Sequence, residues 1–107
     1  MSASVKVVER GAMIYLRGAT PKPGGDVKAQ TRRVLERIDR LLAAAGSDRS
    51  KLLTAQVRLK DMADFEAHDA VWNDWVDRAR PPLRACAQAE LPHPGMRVEI
   101  TVTATRR

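Results

Sequence analysis

A chain of 107 residues with one cysteine holds a single domain over residues 1–107, has no intramolecular disulfide, and gains from association with further copies. No stretch approaches the run of about 18 apolar residues that spans a bilayer, and no basic segment leads into an apolar core at the N-terminus, so a soluble, unprocessed cytoplasmic protein is expected. The net charge of +6 invites a nucleic-acid partner, but the basic residues are dispersed and only four aromatic residues are present, which argues against one.

Val5 to Val8 and Ala12 to Arg17 are short β-rich runs separated by Glu9-Arg10-Gly11, which predicts an opening hairpin. Thr20 to Gly25 is a loop by composition. Asp26 is placed to cap a helix whose apolar stripe is Val27, Thr31, Val34, Ile38, Leu41, Leu42 and Ala45, stopped by Gly46. On this helix Arg32, Arg33, Arg37 and Arg40 mix with Glu36 and Asp39, the pattern of a solvated face. After a short turn at Ser47 to Ser50, Leu53, Ala55, Val57 and Leu59 alternate with polar residues as a strand. A second helix is expected from about Asp61–Asp64 to Arg80-Pro81-Pro82, with Phe65, Trp72, Trp75, Val76 and Ala79 on the side that packs on a sheet.

Two strands are expected to close the chain. Leu83 to Leu91 alternates strictly, with Leu83, Ala85, Ala87, Ala89 and Leu91 on the apolar side and Arg84, Cys86, Gln88 and Glu90 opposite. Val98, Ile100, Val102 and Ala104 repeat the pattern with Glu99 on the polar side. Pro92-His93-Pro94-Gly95 between them predicts a hairpin connection. The order β-β-α-β-α-β-β makes an α+β layer, two helices covering one face of a mixed sheet. The other face would carry Arg17, Arg58, Arg84, Gln88 and Glu99, either as a solvated surface or as a surface that meets copies of itself in a symmetric ring.

A guanidinium and a carboxylate on neighbouring strands can hold a small carboxylic acid and position a water beside it. Arg84 is the candidate anchor, against a structural ion pair at a subunit interface. Glu99 is the candidate catalytic carboxylate, against a buried group satisfied by Arg84 or Arg17. Cys86 reads as a packing residue rather than a nucleophile, because His68 falls on the second helix and His93 in the loop. His68, His93 and Asp69 have no metal-ligand spacing, so no metal is expected. Trp72 and Trp75 read as core.

Pro82-Leu83-Arg84-Ala85-Cys86 followed by Val98-Glu99-Ile100 resembles the C-terminal signature of the RidA family, also called YjgF, the reactive intermediate or imine deaminases. Gln30, Ala44-Ala45-Gly46, Leu59-Lys60-Asp61 and the aromatic helix from Asp64-Phe65 to Trp75 extend the resemblance over most of the chain. It implies a chorismate-mutase-like fold and a homotrimer whose sheets form a central barrel, with ligand clefts between subunits. It also implies hydrolysis of 2-enamine or 2-imine acids to 2-oxo acids and ammonia without metal or organic cofactor. Arg84 would bind the substrate carboxylate, Glu99 would orient the attacking water, and the Cys86 amide, Arg17 and Gly18 would be further ligand contacts. Alternatives are a non-catalytic carboxylate-binding or regulatory module, another lyase or hydrolase, and the older endoribonuclease or translation-inhibitor label.

The chain departs from that pattern in three places. It begins after the segment that carries a cleft Tyr in the main deaminase branch, which suggests a shorter subgroup. Arg17-Gly18 replaces the usual Ser-Gly, an exchange that would favour a more acidic ligand. Asp69 stands on the second helix where Asn is common.

Overall fold

The computed structural model describes residues 6–19 and 24–106. Val5 and most of the loop expected over Thr20–Gly25 lie outside the described residues. Five strands, β1 (Lys6–Arg10), β2 (Met13–Ala19), β3 (Leu52–Leu59), β4 (Leu83–Gln88) and β5 (Val98–Thr105), form one sheet in the order β1-β2-β5-β3-β4. Helices α1 (Val27–Ala44) and α2 (Phe65–Trp75) cover one of its faces, as the α+β reading requires.

The local signals act as expected at several places. Gly11, at φ 58°, supplies the left-handed residue of the two-residue loop between β1 and β2. The Asp26 carboxylate accepts from the Ala29 amide at 2.9 Å and starts α1. Val27, Val34, Ile38 and Leu42 of the expected stripe are buried against Ile14, Leu16, Ile100 and Val102 of the sheet. Gln30 and Leu35 join them on the same face. Gln30 is fully buried because its amide replaces water as a hydrogen-bond partner: it donates to the Gly95 carbonyl at 2.9 Å and accepts from the Arg97 amide at 2.8 Å, tying α1 to the loop before β5.

Three boundaries differ from expectation. A β-bulge between Leu52 and Thr54 shifts the alternation, so Leu52 is buried and Leu53 stands outside. Helix α2 stops at Trp75, not near Arg80, and Val76 is already extended. The stop has side-chain causes: Arg49 donates to the Trp75 carbonyl at 2.7 Å, the Trp75 indole donates to Asp39 at 3.0 Å, and the Asp77 carboxylate turns the chain by accepting from the Ala79 amide. Ala79 is therefore exposed rather than part of the apolar stripe. Strand β4 ends at Gln88 rather than Leu91.

The largest correction concerns β4 and β5, which do not form a hairpin. β4 pairs in parallel with β3, and β3 separates it from β5. The segment carrying α2 joins β3 to β4 as a βαβ crossover, the connection that parallel neighbours need. Pro92-His93-Pro94-Gly95 therefore lies in a connection that passes β3 to reach β5.

Candidate functional site

The register decides which side chains share a face. In the parallel pair, Ala55 stands opposite Arg84 and Val57 opposite Cys86, so Arg84 and Cys86 project toward the helices with the buried residues of β3. Leu83, Ala85 and Ala87 project to the open side, where Leu83 is 77% exposed. The strict alternation is as the sequence indicates, but its orientation is reversed. Gln88, opposite Leu59, belongs with Arg84. The expected polar face therefore splits, leaving Arg17, Arg58 and Glu99 on the open side.

Around Arg84 the surroundings come from α2. Phe65, His68, Asp69 and Trp72 recur at i, i+3, i+4 and i+7 and so share one side of that helix. The guanidinium carbon lies 5.1 Å from the Trp72 ring centroid and 5.8 Å from that of Phe65. Arg84 Nη1 is 2.7 Å from Asp69 Oδ1, with both side chains only partly exposed. The pair thus joins the edge strand to the helix above it. Asp69 and the two aromatic residues were legible as a helix face, but their meeting with Arg84 depends on β4 lying beside β3.

His68 is fully buried beneath the same cluster, its Nδ1 3.2 Å from the Thr31 hydroxyl and its Nε2 without a hydrogen-bond partner. Burial first, and the positive charge of Arg84 second, lower its pKa to about 4, with Asp69 acting in the opposite sense. The imidazole is neutral at pH 7. Burial also raises the Cys86 thiol above its ordinary value, so it is a weak nucleophile at neutral pH.

The outer edge of β4 is unpaired among the described strands. The Ala89 amide donates to the Leu59 carbonyl, and alternation along the strand turns the backbone groups of Arg84, Cys86 and Gln88 the other way, outward from the sheet. The Cys86 amide is thus available beside the Arg84 side chain.

Glu99 occupies a different setting. It stands on β5 directly opposite Arg58, whose Nη1 donates to it at 3.2 Å, and it is 8% exposed. Arg17, on β2, is its diagonal neighbour on the same face, opposite Thr101. Gly18 faces the other way, under α1, where a Cβ would come within 3.0 Å of Ile38 Cγ1. The chain thus brings Arg17, Arg58 and Glu99 together, and separately Arg84, Cys86 and Asp69, on opposite sides of the sheet. A depression of about 190 Å³ on the open face is lined by Gln56, Arg58, Ala85 and Ala87. A larger one of about 550 Å³ contains none of these candidates, and its two cations are already paired, Lys60 with Glu90 and Arg97 with Asp64. Among the described residues no group of three or more His, Cys, Asp or Glu is arranged to hold a metal, and no helix is long and apolar enough to cross a membrane.

Comparison with known proteins agrees with this architecture. Residues 2–106 match the family described as Endoribonuclease L-PSP. The chain is 42% identical over 95 residues to a RutC family protein of Haemophilus influenzae, covering 87% of this chain and 82% of that one. It is 35% identical over 98 residues to the RutC family protein YoaB of Escherichia coli, covering 92% and 86%. A crystal structure of a YjgF family member from Neisseria meningitidis superposes with a TM-score of 0.90 at 42% identity, covering 94% of this chain and 85% of that one. The motif resemblance, the fold and these relatives agree, and the chain belongs to the RutC/YjgF family, the same family as RidA.

Proposed function

We propose that the protein is a 2-enamine/2-imine acid deaminase that hydrolyses reactive imino acids to 2-oxo acids and ammonia in clefts between the subunits of a homotrimer. The observation that carries this reading is the setting of Arg84. Its guanidinium is held at a sheet edge by Trp72, Phe65 and Asp69, beside the outward-facing Cys86 amide. Planar donors fixed in this way suit a carboxylate, which takes two parallel charge-assisted hydrogen bonds from the fork.

In the chemistry, water adds to the C=N carbon, the tetrahedral adduct loses ammonia, and a 2-oxo acid remains. Glu99 orients the water, accepts its proton and returns it to the departing nitrogen. The reaction balances with water alone and needs no metal or organic cofactor. Arg84 and Glu99 lie on opposite faces of one sheet, so a single site that uses both takes Arg84 from one protomer and Glu99 from another. Exposed Leu83, Ala85, Ala87 and Tyr15 on the open face leave apolar surface for such an association. The buried Trp72 and Trp75 offer no platform for bases, which weighs against the endoribonuclease reading.

A second reading is a carboxylate-binding module without turnover. It is favoured by one fact: Arg84 and Glu99 each already hold an oppositely charged partner within the chain. The deciding experiment is release of 2-oxo acid from imino acids generated in situ from several amino acids, acidic ones included. Wild type, Arg84→Ala and Arg84→Lys are compared, with folding and subunit number checked by circular dichroism and light scattering. Acceleration lost in both variants supports the deaminase. A folded trimer that accelerates nothing but is stabilised by 2-oxo acids in a thermal shift supports the binding module.

A further inference from the structure

We infer that Asp69 is an internal counter-ion for Arg84 that occupies the anchor in the empty protein and opposes the entry of a ligand carboxylate. The inference rests on the reading of Arg84 as a carboxylate anchor and gives Asp69, one of the groups around that anchor, a role of its own. Asp69 Oδ1 meets one guanidinium nitrogen, Nη1, at 2.7 Å. The flat ion is held on the faces of Phe65 and Trp72, so its position does not depend on Asp69 alone. An incoming carboxylate therefore finds Arg84 in place but already neutralised. With both side chains three-quarters buried or nearly so, at 21% and 27% exposure, that neutralisation is only partly screened by water. A second carboxylate beside the same guanidinium also meets the like charge of Asp69, which disfavours binding. The titratable neighbours His68 and Cys86 add no charge to offset this, because His68 is neutral at pH 7 and the Cys86 thiol is protonated.

Asp69 therefore lowers affinity for any ligand whose only claim on the site is one carboxylate. It leaves room for ligands that make further contacts, such as with the Cys86 amide. The shape of Asp69 without its charge is available in Asp69→Asn.

The test is binding of pyruvate, the simplest 2-oxo acid, and of its neutral amide, by isothermal titration to wild type, Asp69→Asn, Arg84→Lys and the double variant. Asp69→Asn should tighten pyruvate about tenfold and leave the amide unchanged, as expected when a like charge is removed beside the bound anion. Tightening should be clearly smaller in the Arg84→Lys background, where the planar fork that Asp69 occupies is gone. Equal or weaker pyruvate binding by folded Asp69→Asn, or the same tightening with the amide or without Arg84, overturns the counter-ion role while leaving the anchor standing. No binding of pyruvate by either wild type or Asp69→Asn removes the anchor, and this inference with it.

Discussion

Two guanidinium–carboxylate pairs sit on the two sides of one sheet, and they are built differently. Arg58 and Glu99 are cross-strand neighbours, 3.2 Å apart, with Arg58 43% exposed on the open face. Arg84 and Asp69 join a strand to a helix, 2.7 Å apart, between aromatic rings and above a buried histidine. The first pair needs only strand register. The second needs the helix, the crossover and the edge strand to be in place together. The cross-strand pair is set by local register alone, whereas the strand–helix pair places a cation against two aromatic rings in a partly desolvated setting.

The comparison is sharpest in turnover, where the largest effects are expected. On the proposed deaminase function, Arg84→Ala should lower kcat/KM for 2-imino acids by about 10³-fold, chiefly through KM, since that function assigns Arg84 two charge-assisted hydrogen bonds to substrate. Glu99→Gln should lower kcat by about 10²-fold with KM little changed, the signature of a proton-transfer residue. Steady-state kinetics on freshly generated imino acids separate the two. A Glu99→Gln variant that raises KM alone would make both pairs binding elements and erase the distinction.

Next in size is the response of the Arg84 side to acid. His68 is neutral in the fold with a pKa of about 4, against 6.5 in the unfolded chain, so the unfolded state takes up the proton first. Its contribution to stability is complete above about pH 6.5, falls as pH drops toward 4, and amounts to roughly 3 kcal/mol across that window. Urea unfolding at pH 7 and pH 4.5 measures it, and His68→Leu should flatten that part of the pH dependence.

Smaller effects mark the packing under the sheet and at its surface. Gly18→Ala places a Cβ 3.0 Å from Ile38 Cγ1, and the helix or the isoleucine must yield, at a cost of about 1–3 kcal/mol in chemical unfolding. Lys60→Ala removes an ion pair with Glu90 that is largely in water, and the melting temperature should not move measurably. A loss there as large as that of Gly18→Ala would show that surface pairs in this fold carry weight that their exposure denies.

Much of this was readable from periodicity. The element order, the Asp26 cap and the α1 stripe follow from local preferences that the tertiary fold reinforces rather than overrides. The motif around Arg84 and Glu99 also pointed to the family that the relatives identify. The misplaced hairpin shows where periodicity stops. Alternation from Leu83 onward states that the two sides differ, but cannot say which side faces the helices, because Leu, Ala and Cys suit either one. A strand followed by a Pro- and Gly-rich segment and another strand looks the same whether the strands pair or a third lies between them. Asp69, His68, Phe65 and Trp72 were visible as one helical face, yet nothing in their spacing names the arginine they surround.

What the amino-acid order determines by itself is local: where helices start, which residues alternate, and which charged and aromatic side chains share an element, since these depend on neighbours a few positions away. What the tertiary structure alone decides is the partnering of distant segments. Placing β4 parallel to β3 turns Arg84 beneath α2 and onto Asp69, while Glu99 stays on the open face with Arg58. The reason is physical: a strand's two faces are set by its register with a neighbour, and that register is chosen by the packing of the whole sheet.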